Sequence, residues 1–170
     1  MPNQPQEEIS LRKFVDEDAE KILQMSREES LARFLPDQVY QDYEEASNVL
    51  KYLIRSYDET AGSGNRPYVL GVILNKSREL IGHVGISKIE DGFEIGYAIE
   101  KKHQGFGYAK KAVAKMLHFL ETTTKLNEIF GIVDPENTPS MNILEKSGFS
   151  KTGSRSGRLI YRKDLARPSQ

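Results

Sequence analysis

The pattern of apolar residues changes from strand-like to helix-like across one short turn, and this change limits the folds that the chain can adopt. The segment FEIGYAIE, residues 93–100, is rich in the β-branched and aromatic residues of a strand. After the turn, apolar residues recur at the spacing of one helix face, at Ala112, Val113, Met116, Leu117 and Leu120. The segment EIFGIV, residues 128–133, is again strand-like. A helix between two strands predicts a crossover that joins parallel neighbours in a sheet.

The rest of the chain predicts further strands of the same sheet and helices that cover it. A short strand at residues 9–11 precedes two helices, the first of them with Asp16 as its expected N-cap. The segments YVLGVIL, LIGHVGISKI and FEIGYAIE are separated by short turns, so we expect antiparallel neighbours. The fold class is therefore α+β: a single mixed, mostly antiparallel sheet of about seven strands flanked by four helices, in the order β-α-α-β-β-β-α-β-α-β-β. We expect a flexible tail at residues 1–8 and one domain at residues 9–166.

The turn itself, KKHQGFGYAKKA, carries an unexpected excess of positive charge. Four lysines surround the predicted helix start, and no acidic residue occurs between Glu100 and Glu121. A helix N-terminus already carries partial positive charge and unpaired N–H groups, so it normally attracts acidic side chains. An anion bound by the backbone of the turn would explain the lysines, since glycines let a ligand approach the main chain closely. A tight structural turn is the alternative.

Two common phosphate motifs do not explain the turn. The P-loop pattern G-x-x-x-x-G-K-[ST] does not occur, and the dinucleotide fingerprint G-x-G-x-x-G has Lys110 at its third glycine. The sequence therefore disfavours a nucleotide-binding protein.

Composition and charge exclude several other classes of function. The net charge is −1 and the isoelectric point is near 6.3, which disfavours nucleic-acid binding. There is no cysteine, hence neither a disulfide nor a thiolate metal site. No apolar run approaches the roughly 18 residues of a membrane span, and the N-terminus MPNQPQEE has no signal-peptide apolar region. These features predict a cytoplasmic protein that binds neither membrane nor nucleic acid.

Two motifs resemble those of the GNAT superfamily of N-acetyltransferases, and most closely its ribosomal-protein N-terminal acetyltransferase branch. They are GYAIEKKHQGFGYAKKA, residues 96–112, and NTPSMNILEKSGF, residues 137–149. The likeness in element order covers nearly the whole chain and implies a GNAT-like fold. It also implies that the anion is the pyrophosphate of acetyl-CoA, the cosubstrate, and that the protein acetylates a primary amine. Dimers are common in this superfamily, so a homodimer is possible.

The resemblance also implies which residues bind the cosubstrate. The family pattern [QR]-x-x-G-x-[GA] falls on Lys102, Gly105 and Gly107, with Lys102 in place of the usual Gln or Arg. In the family the strands splay beside the turn, and the pantetheine arm pairs with backbone near Tyr97 and Ile99. The expected cofactor-binding residues are Tyr97, Ile99, Lys102, Gly105, Phe106, Gly107, Tyr108, Ala109, Asn137 and Ser140.

The catalytic residues are less marked in the sequence. Without a cysteine nucleophile, direct attack of the amine on the thioester in a ternary complex is the natural mechanism. Glu94, on the strand that enters the turn, is the expected general base, an exposed strand carboxylate being the alternative. Some family members protonate the leaving thiolate with a tyrosine, at a position that is Leu144 here. Tyr97, Tyr108 or solvent remain as proton donors.

The acceptor side and the histidines carry weaker signals. Acidic residues before the central strands could attract a cationic amine, although at helical spacing such residues more often form a solvated face: Glu28, Glu29, Asp37, Asp42, Glu44 and Glu45, with Tyr40 and Tyr43 beside them. Peptide N-terminus, polyamine, aminoglycoside and small amine all stay open as acceptors. The three histidines have no metal-like spacing with paired carboxylates, so no metal is expected. A non-catalytic acyl-CoA-binding or regulatory module on the same fold is the alternative function.

Overall fold

The computed structural model describes residues 7–167, which form seven strands and five α-helices. The strands are β1 (Ile9–Arg12), β2 (Tyr68–Leu74), β3 (Glu79–Ile89), β4 (Gly92–Ile99), β5 (Glu128–Val133), β6 (Ser150–Arg155) and β7 (Arg158–Asp164). The helices are α1 (Ala19–Ser26), α2 (Glu29–Phe34), α3 (Tyr43–Ser56), α4 (Tyr108–Thr123) and α5 (Thr138–Lys146). No helix in residues 7–167 is both long enough and apolar enough to cross a membrane.

All seven strands belong to one sheet, in the order β1-β2-β3-β4-β5-β7-β6. The pair β4–β5, joined through α4, is parallel, and each other neighbouring pair is antiparallel. The predicted single mixed sheet, its mostly antiparallel pairing and the helical crossover are therefore confirmed.

The structure differs from the prediction in the segment before β2. A short helix, α2, lies between the two helices that the periodicity predicts. With only six residues, α2 is too short to show a helical repeat. Asp16 is not an N-cap: it begins a 3₁₀ turn, Asp16–Asp18, that runs directly into α1. The carboxylate of Asp18 instead holds this turn, since it accepts from the N–H of Val15 at 2.9 Å and from the guanidinium of Arg12.

The two faces of the sheet are covered by different helices. Successive residues of a strand point to opposite faces, so the odd and even positions of β4 face different layers. On one face, which we call the α4 face, Ile95 and Ile99 pack in a buried cluster with residues of α4 and α5. On the other, the α1–α3 face, Val69 of β2 packs against a second cluster built from α1 and α3.

The crossover leaves a gap between its two strands. The ladder between β4 and β5 has one register position, Glu94 opposite Phe130. Beyond it the strands diverge, so the edge of β4 toward β5 has backbone groups near Tyr97 and Ile99 that no strand pairs. This is the position at which the family resemblance implies splayed strands.

The first described residues are held against the sheet. The main-chain carbonyls of Glu7 and Glu8 accept hydrogen bonds from the side chain and backbone of Asn75, at 2.7 and 2.9 Å. Residues 1–6 of the predicted tail lie outside the described residues.

Candidate active site

A cavity of about 780 Å³ occupies the gap between β4 and β5. Its walls come from β4, β5, the α1–α2 region and the N-terminal ends of α4 and α5. Because the strands have parted, the cavity contacts residues of both sheet faces: Glu94 from the α1–α3 face and Tyr97 from the α4 face. One cavity thus brings together side chains that a closed sheet would separate.

The glycine turn forms one end of this cavity. Gly105 and Gly107 both have positive φ angles, +87° and +81°, which a side chain rarely adopts. Gly107 is the N-cap of α4, and a Cβ at either glycine would point into open space. Among the described residues, no acceptor is recorded for the N–H of Gly105, Phe106 or Gly107, and the first helical N–H groups have none within the helix. We call this exposed backbone of residues 105–110 the N–H cradle; it suits an anion.

The lysines around the turn are partly neutralised by the protein itself, which corrects the charge argument. Lys102 does not face the cavity: its Nζ lies 2.9 Å from Oε1 of Glu79 and 3.1 Å from Oε1 of Glu100. These carboxylates raise the pKa of Lys102. Lys111 pairs with Glu8 at 2.7 Å. Glu79 and Glu8 come from distant parts of the chain, so the local sequence could not reveal them.

Lys110 is the lysine that the structure leaves for a ligand. It lines the cavity at the first turn of α4, and no carboxylate of residues 7–167 lies within 4.0 Å of its ammonium group. The expected role of Lys102 as a cation beside the phosphates therefore fits Lys110 better.

Of the ten expected cofactor-binding residues, eight line the cavity: Tyr97, Ile99, Gly105, Gly107, Tyr108, Ala109, Asn137 and Ser140. The other two, Lys102 and Phe106, do not. Phe106 is 63% exposed and stacks on Tyr108, with ring centroids 5.7 Å apart. The side chain of Asn137 caps α5 by accepting from the N–H of Ser140 at 3.3 Å.

Glu94 lies in the cavity, directly opposite Ser87 on β3. It is half-buried, and this desolvation raises the pKa of its carboxyl group, while Arg158 acts in the opposite direction. A carboxylate with a raised pKa is a stronger base than an exposed one. The position, burial and pKa of Glu94 are those expected of a general base.

Tyr97 and Ser140 form a hydroxyl pair on the opposite side of β4. The phenolic oxygen of Tyr97 lies 2.7 Å from Oγ of Ser140. Burial raises the pKa of Tyr97 to about 12, so its hydroxyl stays protonated at neutral pH. Leu144, at the position where the sequence resemblance implies a tyrosine in some family members, is 2% exposed and packs in the core. The fold therefore offers Tyr97 as a protonated hydroxyl in the cavity.

A second cavity, of about 280 Å³, adjoins the first on the α1–α3 face. We call it the apolar pocket, because most of its lining residues are apolar or aromatic, and several of these come from α1 and α3. The two cavities share His83, Ser87 and Gly96 as lining residues. Burial lowers the pKa of His83 to about 4, so its imidazole is neutral at neutral pH. His83 and Ser87 alternate on the same face of β3, and Ser87 lies opposite Glu94, so the strand period is the signal that places His83 beside the site.

A cluster of ionisable groups lies behind the turn, and in it His103 lies beside two carboxylates. Glu79, Glu100 and His103 have ligand atoms within 4.8 Å of one another, a grouping that the sequence spacing concealed. The carboxylates are engaged by lysines, however, with Nζ of Lys21 2.6 Å from Oε2 of Glu100. Contacts with Lys102 and Lys21 lower the pKa of Glu79 to about 2. The arrangement is that of an ion-pair network that fixes the start of the turn.

The acidic residues considered for the acceptor side divide between two roles. Glu28 and Asp37 line the cavities. The other four do not: Asp42 caps α3 by accepting from the N–H of Glu45, and Glu29 and Glu44 are exposed on helices. Tyr40 lines the apolar pocket, whereas Tyr43 is 56% exposed. Most of this acidic set therefore forms a solvated face.

Comparison with known proteins gives the same fold and a family. An uncharacterized N-acetyltransferase, p20, from Bacillus licheniformis is 32% identical over 150 residues, which cover 86% of this chain and 82% of that protein. The ribosomal-protein-S5-alanine acetyltransferase from Vibrio fischeri has a TM-score of 0.78 at 20% identity, covering 95% of this chain and 96% of that one. A spermidine N-acetyltransferase from Vibrio cholerae, solved with CoA and spermine, has a TM-score of 0.75 at 19% identity, covering 93% and 96%.

These structures confirm the predicted fold, and because they act on different acceptors they leave the acceptor open. The acetyltransferase (GNAT) domain model matches residues 8–150. The superfamily resemblance seen in the sequence is thereby confirmed: the chain belongs to the GNAT acetyltransferase family.

Proposed function

We propose that this protein transfers the acetyl group of acetyl-CoA to a primary amine by direct attack in a ternary complex. The observation that carries this proposal is the gap between β4 and β5. It joins the N–H cradle at one end with Glu94 at the other, in one continuous cavity. Glu94 lies five residues before Ile99, about 16 Å along the strand, so the anion end and the reactive end are well separated.

The donor half of the proposal rests on backbone groups. The pyrophosphate of acetyl-CoA needs open space and hydrogen-bond donors. The cradle has both, since the space above Gly105 and Gly107 is open and the first N–H groups of α4 are exposed. No strand pairs with the edge of β4 near Tyr97 and Ile99, where the carbonyl of Ile99 accepts from the side chain of Gln104 at 2.8 Å. The remaining backbone groups of this edge would pair with the amide groups of the pantetheine arm, as an added strand would. Lys110 adds a charge at the cradle, and Asn137 and Ser140 border the arm from α5.

The chemistry assigns a role to Glu94. The amine must lose its proton to become a nucleophile, and Glu94 accepts that proton, directly or through a water molecule. The amine nitrogen then attacks the thioester carbonyl carbon and forms the new C–N bond. The nitrogen, positively charged after the attack, releases a second proton to water; the C–S bond breaks, and the leaving group is the thiolate of CoA. Holding both reactants in one cavity lowers the entropic cost of the reaction.

Tyr97 is the proposed proton donor to the departing thiolate. Its hydroxyl is protonated at neutral pH, lies on the cavity wall and contacts Ser140, which can return the proton from solvent. The product thiol of CoA and the amide then leave the cavity. In this proposal Tyr97 takes the role of the tyrosine that some family members have at the position of Leu144.

The proposal is tested by separating binding from turnover. Thermal-shift titration with CoA, acetyl-CoA, NAD and ATP should show stabilisation by the CoA species alone. Release of CoA thiol, followed with a thiol reagent, should then depend on both acetyl-CoA and an added amine. This assay has no background from the protein, because the chain has no cysteine.

Failure of CoA to stabilise the protein would refute the proposal. Stabilisation without acetylation of any amine would favour instead a non-catalytic acyl-CoA-binding module, the reading that the leucine at position 144 supports. Action in the cytoplasm and assembly as a homodimer remain predictions, for fractionation and for light scattering respectively.

A further inference from the structure

We infer that the apolar pocket holds the acceptor, and that the acceptor is a small primary amine with one positive charge and a single apolar arm. This inference rests on the proposed acetyltransferase function.

Two glycines form the floor of the pocket. Val69, Gly85 and Gly96 lie opposite one another on three adjacent strands, so they share the α1–α3 face with Glu94. A Cβ on Gly96 would meet no protein atom within 4 Å, although neighbouring positions of β4 are packed. The absent side chain leaves a passage between Glu94 and the apolar pocket.

The walls of the pocket suit an apolar group of limited size. Phe14, Ile22, Val49, Tyr52 and Leu53 contribute to them from α1, α3 and the segment before α1. A volume of about 280 Å³ is at the small end of ligand sites, large enough for a phenyl or branched alkyl group. Aromatic walls favour a ring, since edge and stacked contacts add to the gain from burial.

The charges of the pocket match a single ammonium group and no more. Asp37 is the one charged side chain that lines it among the described residues, and His83 is neutral at neutral pH. Glu94 lies just outside, in the cavity where the reacting nitrogen must sit. A polyamine would bring further ammonium groups into apolar surroundings, where unpaired charges are costly. The pocket therefore differs from one that is complementary to spermidine.

The roof favours a small molecule over a polypeptide. The segment from Glu28 to Gln38, which includes α2, crosses the acceptor side of the gap. It is held at its first residue and at its middle: Oε2 of Glu28 accepts from the N–H of Lys101 at 2.9 Å, and Arg33 pairs with Glu136 at 2.8 Å. A peptide extending from the reacting amine would have to break one of these contacts.

The test compares amines on the intact protein. We expect kcat/KM for 2-phenylethylamine to exceed that for spermidine, and that for a peptide with an N-terminal phenylalanine, by at least tenfold. A preference for spermidine or for the peptide would overturn the inference. Binding of 2-phenylethylamine is also measured by calorimetry without acetyl-CoA, so that a failure of donor binding does not hide the result. No measurable binding would overturn the inference, whereas stabilisation by CoA reports on the proposed function separately.

A pair of glycine variants locates the amine. Gly96→Val adds a side chain in the passage, where a Cβ has open space. Its matched control, Gly153→Val, adds the same groups on β6, outside both cavities, at a position where a Cβ also has open space. We expect Gly96→Val to raise KM for 2-phenylethylamine at least tenfold with KM for acetyl-CoA within twofold of the wild type. Gly153→Val should change neither. Equal effects of the two variants on the amine would refute the pocket.

A third variant changes the preference itself. Tyr52 is 40% exposed at the pocket wall, so a carboxylate is tolerated there. Tyr52→Glu should lower the ratio of kcat/KM for 2-phenylethylamine to that for spermidine at least fivefold. An unchanged ratio would show that the charge of this pocket does not select the acceptor.

Discussion

The two ends of the β4–β5 gap differ in whether main-chain or side-chain groups form them. The donor end is mostly main chain: two glycines with positive φ and the free N–H groups of α4. The acceptor end consists of side chains from α1, α3 and the sheet, gathered from residues far apart in sequence. Main-chain sites tolerate changes in neighbouring side chains and fail when a glycine is replaced, whereas side-chain sites change their selectivity with each substitution. The following predictions test this contrast.

Gly107→Val should produce the largest effect, at the donor end. The branched side chain is strained at φ +81° and projects where the anion would bind. Losing charge-assisted hydrogen bonds worth about 3 kcal/mol would weaken CoA binding at least 100-fold. Gly157→Val is the control, because Gly157 has a similar φ, +78°, and open space outside the cavities. If calorimetry gives both variants the wild-type affinity for CoA, the cradle does not bind the phosphates.

Glu94→Gln should produce the largest effect on chemistry. Loss of a general base typically lowers kcat about 100-fold or more, with no change in CoA affinity. Glu90→Gln is the control: it removes a carboxylate from the β3–β4 turn that pairs with Arg155 at the surface. A full rate in Glu94→Gln at pH 7 would exclude Glu94 as the base.

Tyr97→Phe should lower kcat by about tenfold, below the usual range for a general acid because solvent can also protonate a thiolate. Ser140 keeps its place on α5, so CoA affinity should stay within twofold. The loss should shrink with an acyl donor whose thiol is more acidic, as that leaving group needs less protonation. A loss independent of the thiol would indicate a structural role for Tyr97.

The comparison of Lys110→Met with Lys102→Met tests which lysine meets the ligand. Lys110 lines the cavity, so its loss should weaken CoA binding about fivefold, the equivalent of about 1 kcal/mol. Lys102 points toward Glu79 and Glu100, so its loss should change CoA affinity less than twofold. A larger loss of CoA affinity in Lys102→Met than in Lys110→Met would indicate that Lys102 is the lysine that contacts the cofactor.

Arg158→Gln should give the smallest effect, a shift in the pH profile. Burial raises the pKa of Glu94, and the positive charge of Arg158 lowers it. Without Arg158 the pKa of Glu94 rises further, so the base stays protonated to a higher pH. The acidic limb of kcat/KM against pH should therefore move upward. Arg155→Gln, on the same hairpin but paired with Glu90, should leave the limb in place. A downward shift would contradict the assigned base.

Much of the fold could be predicted from the sequence because the signals are local. The short turns between β2, β3 and β4 require antiparallel pairing, and the periodicity of α4 is regular over four turns. A glycine just after a helical segment is a local signal of a left-handed helix end, and Gly148 after α5 has φ +92°, with the N–H of Phe149 bonded to the carbonyl of Leu144. The short helix α2 was missed because six residues carry no repeat.

The site could be predicted only in part. The turn around Gly105 and Gly107 is one continuous segment, so its backbone geometry can be predicted from the local sequence. The partners of Lys102 and Lys111 could not be predicted, because Glu79 and Glu8 reach them only through the packing of β1 and β3 against the crossover. For the same reason the charge excess of the turn was overestimated.

By itself, the sequence determined the order of the seven strands and of four of the five helices, the glycine turn and the family, since each depends on neighbouring residues or on motif spacing. Only the tertiary structure decided which lysine faces the cavity, that β4 and β5 part at Glu94, and that Gly96 opens onto an apolar pocket. The physical reason is the distance along the sequence over which each kind of interaction acts. Backbone conformation and periodicity act over a few residues, whereas ion pairs, desolvation and cavities depend on groups that the fold brings together from distant positions.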